Sequence, residues 1–277
     1  SPPAPRQGSS INNTRTIYNN RCNISVKSLT HNLYLTAAEV NAQEEMSLSS
    51  LAILVIDVAT AHANSLGVGY AHMMETNSSW VLSRLNADIA VMPTVNRHYR
   101  MITWVHSLNR IFSDRLFRLE DAETGELCAW IHTTWMAIDM DTRRPTDLTR
   151  HQALAEVVSE REFGGTSGSK LPPMAADRGQ GYEYTFKYSD IDVNRHVTTR
   201  RYIDLIVDLW PLEMYERNRV KRFEIAFKHE IRYGSTASVV SAPALTEGAS
   251  DEEIHDAELR VDDTACAIAR VTFSPRR

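Results

Sequence analysis

The sequence predicts an α+β protein made of two similar units, in each of which the strands of an antiparallel sheet wrap around a central helix. Three observations support this prediction. An apolar helical segment is followed by several strand candidates, and this order occurs twice along the chain. The runs Val55–Val58 and Ile206–Leu209 match in residue type, late in the two helices. A stretch rich in glycine and proline, residues 164–181, lies between the two units.

The first helix is predicted from apolar residues that recur with a period of about 3.6 residues. These residues are Leu48, Leu51, Ala52, Val55, Ala59, His62 and Leu66. Ser47 is the expected N-cap, and Gly67 is the expected stop. Because the middle of this helix is apolar on nearly every side, we expect it to be covered all round.

Strand candidates follow the helix in the first unit and are separated by turn residues. They are Trp80–Ala90, Tyr99–Leu108, Leu116–Glu120 and Leu127–Ile138. The second unit opens with a short strand and a polar loop, continues with an apolar helix that Pro211 interrupts, and closes with four strands. Its strand candidates are Tyr182–Tyr188, Arg222–Tyr233, Ala237–Ala242, Ile254–Val261 and Ala265–Phe273. Two such units side by side would cover each other's open sheet edges.

Chain length agrees with two units, since 277 residues are enough for about two domains. We assign residues 1–150 to the first unit, with 1–20 as a polar tail, residues 151–180 to a linker, and residues 181–277 to the second unit.

Composition excludes several classes of protein. The chain is 43% hydrophobic and 23% charged, which is typical of globular domains. Its longest apolar run, Leu51–Ile56, is far too short to span a membrane, and the N-terminus lacks the residue order of a signal peptide. A net charge of -5 does not favour nucleic-acid binding. Cys22, Cys128 and Cys266 are odd in number and far apart, which argues against a disulfide framework or a clustered zinc site and favours the reducing cytoplasm.

The segment Ser189–Val197 carries the residues best suited to catalysis. If the loop is extended, Asp192, Asn194 and His196 point the same way, and free N–H groups at a helix start near Val197 point into the same region. A carboxylate that activates water or attacks a carbonyl, together with amide donors for the oxyanion, suits acyl transfer.

Two simpler interpretations compete for this segment. The spacing resembles the opening of an EF-hand calcium loop, but Arg195 and Arg201 stand where such a loop needs Gly and Glu. From spacing alone, a plain capping loop explains the Asp and Asn residues as well as a catalytic site does.

The run YSDIDVNRHVTTRRYIDLIVDLWP, residues 188–211, resembles the signature of the acyl-acyl-carrier-protein thioesterases of plants and bacteria. Phe223–Glu230 resembles the family strand that ends in an active-site Glu. Weaker similarities lie at Trp80–Leu85, Thr103–Val105 and Asp139–Pro145, so that the resemblance covers about residues 30–275.

This resemblance implies a double hotdog fold and hydrolysis of the thioester between a fatty acyl chain and acyl carrier protein, which releases the fatty acid. Asp192, Asn194, His196 and Glu230 match the family's proposed catalytic group, and neither a metal nor an organic cofactor is implied. The chain departs from the family pattern at two places. Threonines 198 and 199 follow the His-Val pair where an Asn is usual, and Ile231 follows Glu230 where the plant enzymes tend to have Cys.

The repeat predicts a single active site. Aligning Asp57 with Asp208 sets an offset of 151 residues, which places Asn41, Gln43 and Glu45 opposite the Asp-Asn-His group. The first unit therefore lacks both the Asp and the His, and we expect it to shape the acyl pocket instead. Pocket candidates on its helix are Ala52, Ala59 and His62, although His62 also fits a buried core histidine.

A local basic surface is the expected docking site for the carrier, with its phosphopantetheine-linked acyl chain. Acyl carrier protein is acidic as a family, and residues 195–222 hold seven basic and four acidic side chains. The candidates are Arg195, Arg200, Arg201, Arg219, Lys221 and Arg222. A solvated helix surface without a partner is the alternative, and the pair Arg143-Arg144 is likewise interpreted as solvated.

The sequence is also compatible with three other functions. They are an acyl-CoA thioesterase, a hotdog dehydratase and a non-catalytic acyl-binding hotdog. A double hotdog already resembles a dimer of single hotdogs, so a monomer and a further homodimer are both compatible with the sequence.

Overall fold

The computed structural model of the protein describes residues 23–25, 27–168, 170–175, 178–245 and 251–276. The predicted tail, residues 1–20, and Cys22 lie outside the described residues. The division into residues 1–150, 151–180 and 181–277 stays a prediction.

Eleven strands and five α-helices form within the described residues. The strands are β1 (Asn23–Ser25), β2 (Ser28–Tyr34), β3 (Ser78–Ile89), β4 (His98–Leu108), β5 (Ser113–Asp121), β6 (Leu127–Asp139), β7 (Gln180–Thr185), β8 (Asn218–Phe227), β9 (Thr236–Pro243), β10 (Glu253–Val261) and β11 (Thr264–Pro275). The helices are α1 (Leu48–Ser65), α2 (Tyr70–Glu75), α3 (Gln152–Glu156), α4 (Thr199–Val207) and α5 (Leu212–Arg217). Each strand candidate overlaps an observed strand, but two were extended too far: β7 ends at Thr185 and not at Tyr188, and β8 ends at Phe227 and not at Tyr233, which leaves Glu230 beyond the strand. Strands β1 and β2 were not predicted.

The strands form one continuous antiparallel sheet in the order β1-β2-β4-β5-β6-β3-β8-β11-β10-β9-β7. The prediction of two separate sheets is thus refined, because β3 of the first unit pairs directly with β8 of the second, from Arg84 opposite Ala226 to Asp88 opposite Arg222. Pairing satisfies the backbone groups that each half-sheet would otherwise leave open at its edge.

Helices α1 and α4 pack against each other and share one hydrophobic core with both halves of the sheet. As predicted, Ser47 caps α1, since its Oγ accepts the Ser50 N–H at 3.1 Å, and Gly67 follows the end of α1 with φ +72°. By length and composition, α1 is the one helix in the described part of the chain that could cross a membrane. Its buried residues belong to the shared core, which accounts for its apolar composition.

Full coverage of α1 was predicted wrongly. A stripe at helical spacing, formed by Asp57, Thr60 and Asn64, is exposed. The buried residues of α1 lie on its other sides, and the polar side chains of this stripe do not need burial.

The internal repeat is confirmed at the loops that precede α1 and α4. Asn41 N–H donates to Glu45 O at 2.7 Å, and Asp192 N–H donates to His196 O at 2.8 Å. In both loops, the residue just before the carbonyl acceptor has a positive φ, 59° at Glu44 and 64° at Arg195. These pairs and the two helix starts are all related by the predicted offset, so the two units place equivalent loops at equivalent points.

Candidate active site

The loop with the Asp-Asn-His group is a tight turn and not the extended segment that the sequence suggested. Asp192 Oδ1 accepts the N–H groups of Asn194 at 2.8 Å and His196 at 3.0 Å. The chain reverses here because Arg195 takes a left-handed conformation. The three candidate residues therefore share a turn, although simple alternation does not explain how they come together.

The sequence also suggested free N–H groups of a helix start at Val197, and this expectation is wrong. Val197 N–H donates to Ile231 O at 2.8 Å, and α4 begins two residues later. Thr198, one of the departures from the family pattern, caps α4 by accepting the Arg201 N–H at 3.2 Å. The Asn194 amide is an uncharged side-chain donor in this loop that could serve an oxyanion, beside the side chains of Arg195 and His196.

Glu230 lies next to the turn, as the sequence predicted. His196 Nε2 is 3.2 Å from Glu230 Oε2, and the His196 side chain is 19% exposed while that of Glu230 is 42% exposed. The backbone holds these two residues close together, since His196 forms an isolated antiparallel β-bridge with Arg232. This brings an imidazole and a carboxylate together beside Asp192.

Arg143 is a site residue that sequence reasoning missed. It is exposed, as the solvated interpretation expected, and its guanidinium also pairs with Glu230 Oε1. It stands in the turn after β6, where Asp139 Oδ1 accepts the Thr142 N–H at 2.7 Å, and this hydrogen bond lowers the pKa of Asp139 below its usual range. The resemblance at Asp139–Pro145 was the available signal, because it placed a family-like segment at this turn.

A cavity of about 240 Å³ opens beside the loop, inside the first unit. The second unit contributes Asn194, while the first unit lines the walls from α1, α2 and strands β3, β5 and β6, with Ala59, Met73, Trp80, Arg115 and Trp135. Ala59 was a pocket candidate and lines the cavity. Ala52 was another, but it packs in the core away from the lining.

His62, the third pocket candidate, lies behind the cavity wall. It is fully buried, and its Nδ1 is 2.7 Å from Arg115 Nη1. Burial and the Arg115 charge lower the pKa of His62 to about 3, so the ring is neutral near pH 7 and Nδ1 accepts from the guanidinium. The burial of His62 agrees with the alternative interpretation, a core histidine. Its hydrogen-bond partner, Arg115, lines the cavity.

The equivalent loop of the first unit borders a second cavity of about 850 Å³. Glu45 occupies the position of His196, and Arg276 binds both its carboxylate oxygens, at 2.6 and 2.7 Å. Glu45 pairs with Thr94 as His196 pairs with Arg232, which places Met92 where the second unit has Glu230. At the positions of Asp192, His196 and Glu230, this copy therefore has an amide, a carboxylate held by an arginine, and a methionine.

The candidate carrier-binding residues do not form one surface. Arg195 and Arg200 are exposed beside the loop, whereas Arg201 Nε lies 2.6 Å from the buried Asp190. Arg219 and Lys221 line the second cavity, and Arg222 pairs with Asp88 and Glu224 near the joint between the units. Arg219 and Phe227 are about 26 Å apart along β8 at its usual rise, so the basic residues of β8 lie far from Glu230.

Among the described residues, no group of three or more His, Cys, Asp or Glu side chains is placed to hold a metal ion. The cavity beside the loop has both apolar and polar residues in its lining, Arg115 among them.

Two family models match most of the chain. The acyl-ACP thioesterase N-terminal domain matches residues 27–154, and the acyl-ACP thioesterase C-terminal domain matches residues 175–274. An oleoyl-acyl carrier protein thioesterase of Arabidopsis thaliana is 26% identical over 207 residues, which are 69% of this chain and 56% of that protein. A palmitoyl-acyl carrier protein thioesterase of Gossypium hirsutum is 23% identical over 251 residues, 84% of this chain and 60% of that protein. The chain thus spans a little over half the length of these chloroplastic relatives.

Solved structures share the fold. An acyl-ACP thioesterase from Bacteroides thetaiotaomicron has a TM-score of 0.80 and 28% identity, covering 91% of this chain and 100% of that one. A 12:0-ACP thioesterase from Umbellularia californica also has a TM-score of 0.80, at 17% identity, covering 90% of this chain and 94% of that one. The expected double hotdog, an α+β fold, is confirmed.

The buried His62 predicts acid sensitivity. Its pKa falls from 6.5 in the unfolded chain to about 3 in the folded protein. Below pH 6.5 the unfolded state binds a proton that the folded state does not, so the stabilisation present above pH 6.5 is lost as the pH falls toward 3. The free energy of unfolding should drop by about 1.4 kcal/mol per pH unit between about pH 6 and 4 from this residue.

Urea unfolding of the wild type and of His62→Gln at about pH 7, 6 and 5 measures this contribution. Gln keeps an acceptor for Arg115 but does not titrate, so its stability should depend less steeply on pH. Parallel pH profiles for the two proteins would contradict the prediction.

Proposed function

The chain belongs to the acyl-acyl-carrier-protein thioesterase family, and on that premise we propose that it hydrolyses the thioester of fatty acyl-acyl carrier protein and releases the free fatty acid. One observation carries the proposal. Asn194, in the polar loop of the second unit, lines a cavity inside the first unit. An acyl chain in this cavity would end, at its thioester, beside Asp192, His196 and Glu230.

The proposed chemistry adds water across the carbon–sulfur bond, with the hydroxyl going to the carbonyl carbon and a proton to the sulfur. The two N–H groups of the turn donate to Asp192 Oδ1, and Oδ2 would take a proton from water or attack the carbonyl itself. The Asn194 amide would donate to the oxyanion, and His196, whose Nε2 contacts Glu230, would protonate the leaving sulfur. Arg143 balances the charge of Glu230.

The first test is release of free thiol from acyl carrier protein loaded with chains of about eight to eighteen carbons. Thiol release supports the proposal. A shifted double bond would indicate a dehydratase, and binding without turnover an acyl-binding protein. Equal rates with acyl-CoA would overturn the choice of carrier.

We propose a cytoplasmic location for this chain. Cys128 and Cys266 are free and buried, and burial raises the pKa of Cys128 to about 12. Unpaired thiols of this kind are typical of proteins in a reducing compartment.

Asp192→Asn should lower kcat by about 10²–10⁴-fold, since it removes the charge that acts on water or the carbonyl but keeps the Oδ1 acceptor that holds the turn. Asn194→Ala and Glu230→Gln should also lose most of the activity. The matched control is Gln43→Ala, the equivalent of Asn194→Ala in the other unit, which should keep wild-type kcat. Retention of more than about a tenth of the rate by Asp192→Asn would overturn its assignment.

The preferred length of the acyl chain should depend on Ala59, the small residue in the cavity wall. A cavity of about 150 Å³ holds benzene, so one of about 240 Å³ holds on the order of ten carbon atoms. Ala59→Leu should move the preferred substrate to shorter chains, because its side chain enters the cavity. Ala61→Leu, on the same helix but outside the lining, should leave the preference unchanged. Rates over a series of acyl lengths measure both, and an equal response of the two variants would contradict the cavity assignment.

Variants of two adjacent arginines should distinguish docking of the carrier protein from structural support of the catalytic loop. Arg200 is 52% exposed and 3.8 Å from Asp204, so Arg200→Glu should raise KM for the carrier-bound substrate, more so at low salt, and leave a pantetheine thioester unaffected. Arg201→Glu should impair both substrates, because it breaks the pair with the buried Asp190 beneath the loop. Loss on both substrates with Arg200→Glu, or on neither, would place carrier docking elsewhere.

A further inference from the structure

Arg115 is a buried cation in the wall of the cavity. It stands on β5 with 5% of its surface exposed, and its Nη1 contacts His62 Nδ1 at 2.7 Å and Thr103 Oγ1 at 3.4 Å. Both partners are uncharged. Within the described ranges of the chain, no Asp or Glu lies within ion-pair distance of this guanidinium.

Two other arginines with little exposure show what such a charge usually requires. Arg222, with 18% of its side chain exposed, pairs with Asp88 and Glu224, and Arg260, with 12%, pairs with Glu258. The acidic neighbour of Arg115 on the strand, Asp114, points to the opposite face and contacts His132, Ser107 and Thr134. Arg115 is therefore buried without the carboxylate that its counterparts have.

The charge persists at neutral pH. Burial lowers the pKa of Arg115 only to about 10, and the low pKa of His62 keeps that ring neutral beside it. An unpaired buried cation is costly, and a purely hydrocarbon ligand would take water from the guanidinium without offering an acceptor.

Arg115 belongs to the buried part of the cavity lining. The exposed lining residues mark the mouth, with Tyr70 71% and Met74 57% exposed, and Asn194 is exposed like them. The buried ones mark the interior, where Met73 is 1% and Leu154 2% exposed. A ligand whose thioester is at Asn194 would extend its distal carbons toward Arg115.

We propose that the acyl chain carries an oxygen acceptor on its distal part, a hydroxyl or a carboxylate, and that Arg115 donates to it. This inference rests on the proposed function and adds a substrate class, namely acyl groups oxygenated away from the thioester. Arg115 is then a residue that determines specificity and takes no part in the hydrolytic step.

Binding of non-hydrolysable probes tests the inference separately from catalysis. The probes are S-alkyl pantetheine thioethers with chains of about eight carbons that end in a methyl, a hydroxyl or a carboxylate group, and calorimetry measures their Kd. The wild type should bind the oxygenated probes about tenfold to a hundredfold more tightly than the methyl probe, as expected for a hydrogen bond to a charged donor. The hydroxyl and carboxylate arms then tell a neutral acceptor from an anionic one.

Arg115→Met should remove this preference, whereas Arg115→Lys should keep it for the carboxylate probe. Circular dichroism checks that each variant is folded, and one folded variant is enough to test the inference. Arg118→Met is the matched control, because Arg118 lies on the same strand but pairs with Glu120 and stacks on Trp130. Equal binding of the three probes, tighter binding of the methyl probe, or a preference that survives Arg115→Met would overturn the inference while leaving thiol release as the measure of the proposed function. Failure of every probe to bind would overturn the assignment of the cavity and the inference with it.

Discussion

The pairing of β3 with β8 is the interaction on which the rest of the molecule depends. It joins two half-sheets into one, and Asp88 and Arg222 reinforce it with an ion pair across the two strands. Because the joined sheet gives α1 and α4 a single core, the loop before α4 reaches the cavity beside α1. The proposed reactive residues and the proposed acyl cavity thus come from different halves of the chain, and neither half holds both.

Local patterns account for what could be predicted from the sequence. The period of the apolar residues and the cap Ser47 defined α1 closely, and the repeat offset matched the two loops residue by residue. The predictions that failed depended on features that the period of the apolar residues does not encode. The left-handed conformation of Arg195 turned an expected extended segment into a turn, and the pair between Arg143 and Glu230 joins residues 87 apart in sequence. β2 was missed because its sequence, SLTHNLY, has little apolar alternation.

The two equivalent loops separate what the fold requires from what the chemistry requires. Asn41 Oδ1 accepts the N–H groups of Gln43 and Glu45, as Asp192 Oδ1 does in the second unit. A short side chain with an acceptor oxygen is therefore enough to hold the turn, and the turn alone is no sign of catalysis. The proposed site differs by its negative charge at Asp192 and by the His196, Glu230 and Arg143 cluster, for which the first unit has Glu45 held by Arg276.

The joint between the units also bears on how the chain is made. Asp88 and Arg222 are 134 residues apart, and ribosomes add about 5–20 residues per second, so the partner of β3 emerges about 7 to 27 seconds after β3 itself. The first unit can form its helix and hairpins during that interval, since these contacts are local. Its β3 edge nevertheless stays open until the second unit arrives, which exposes the nascent chain to mispairing between neighbouring copies on one messenger RNA.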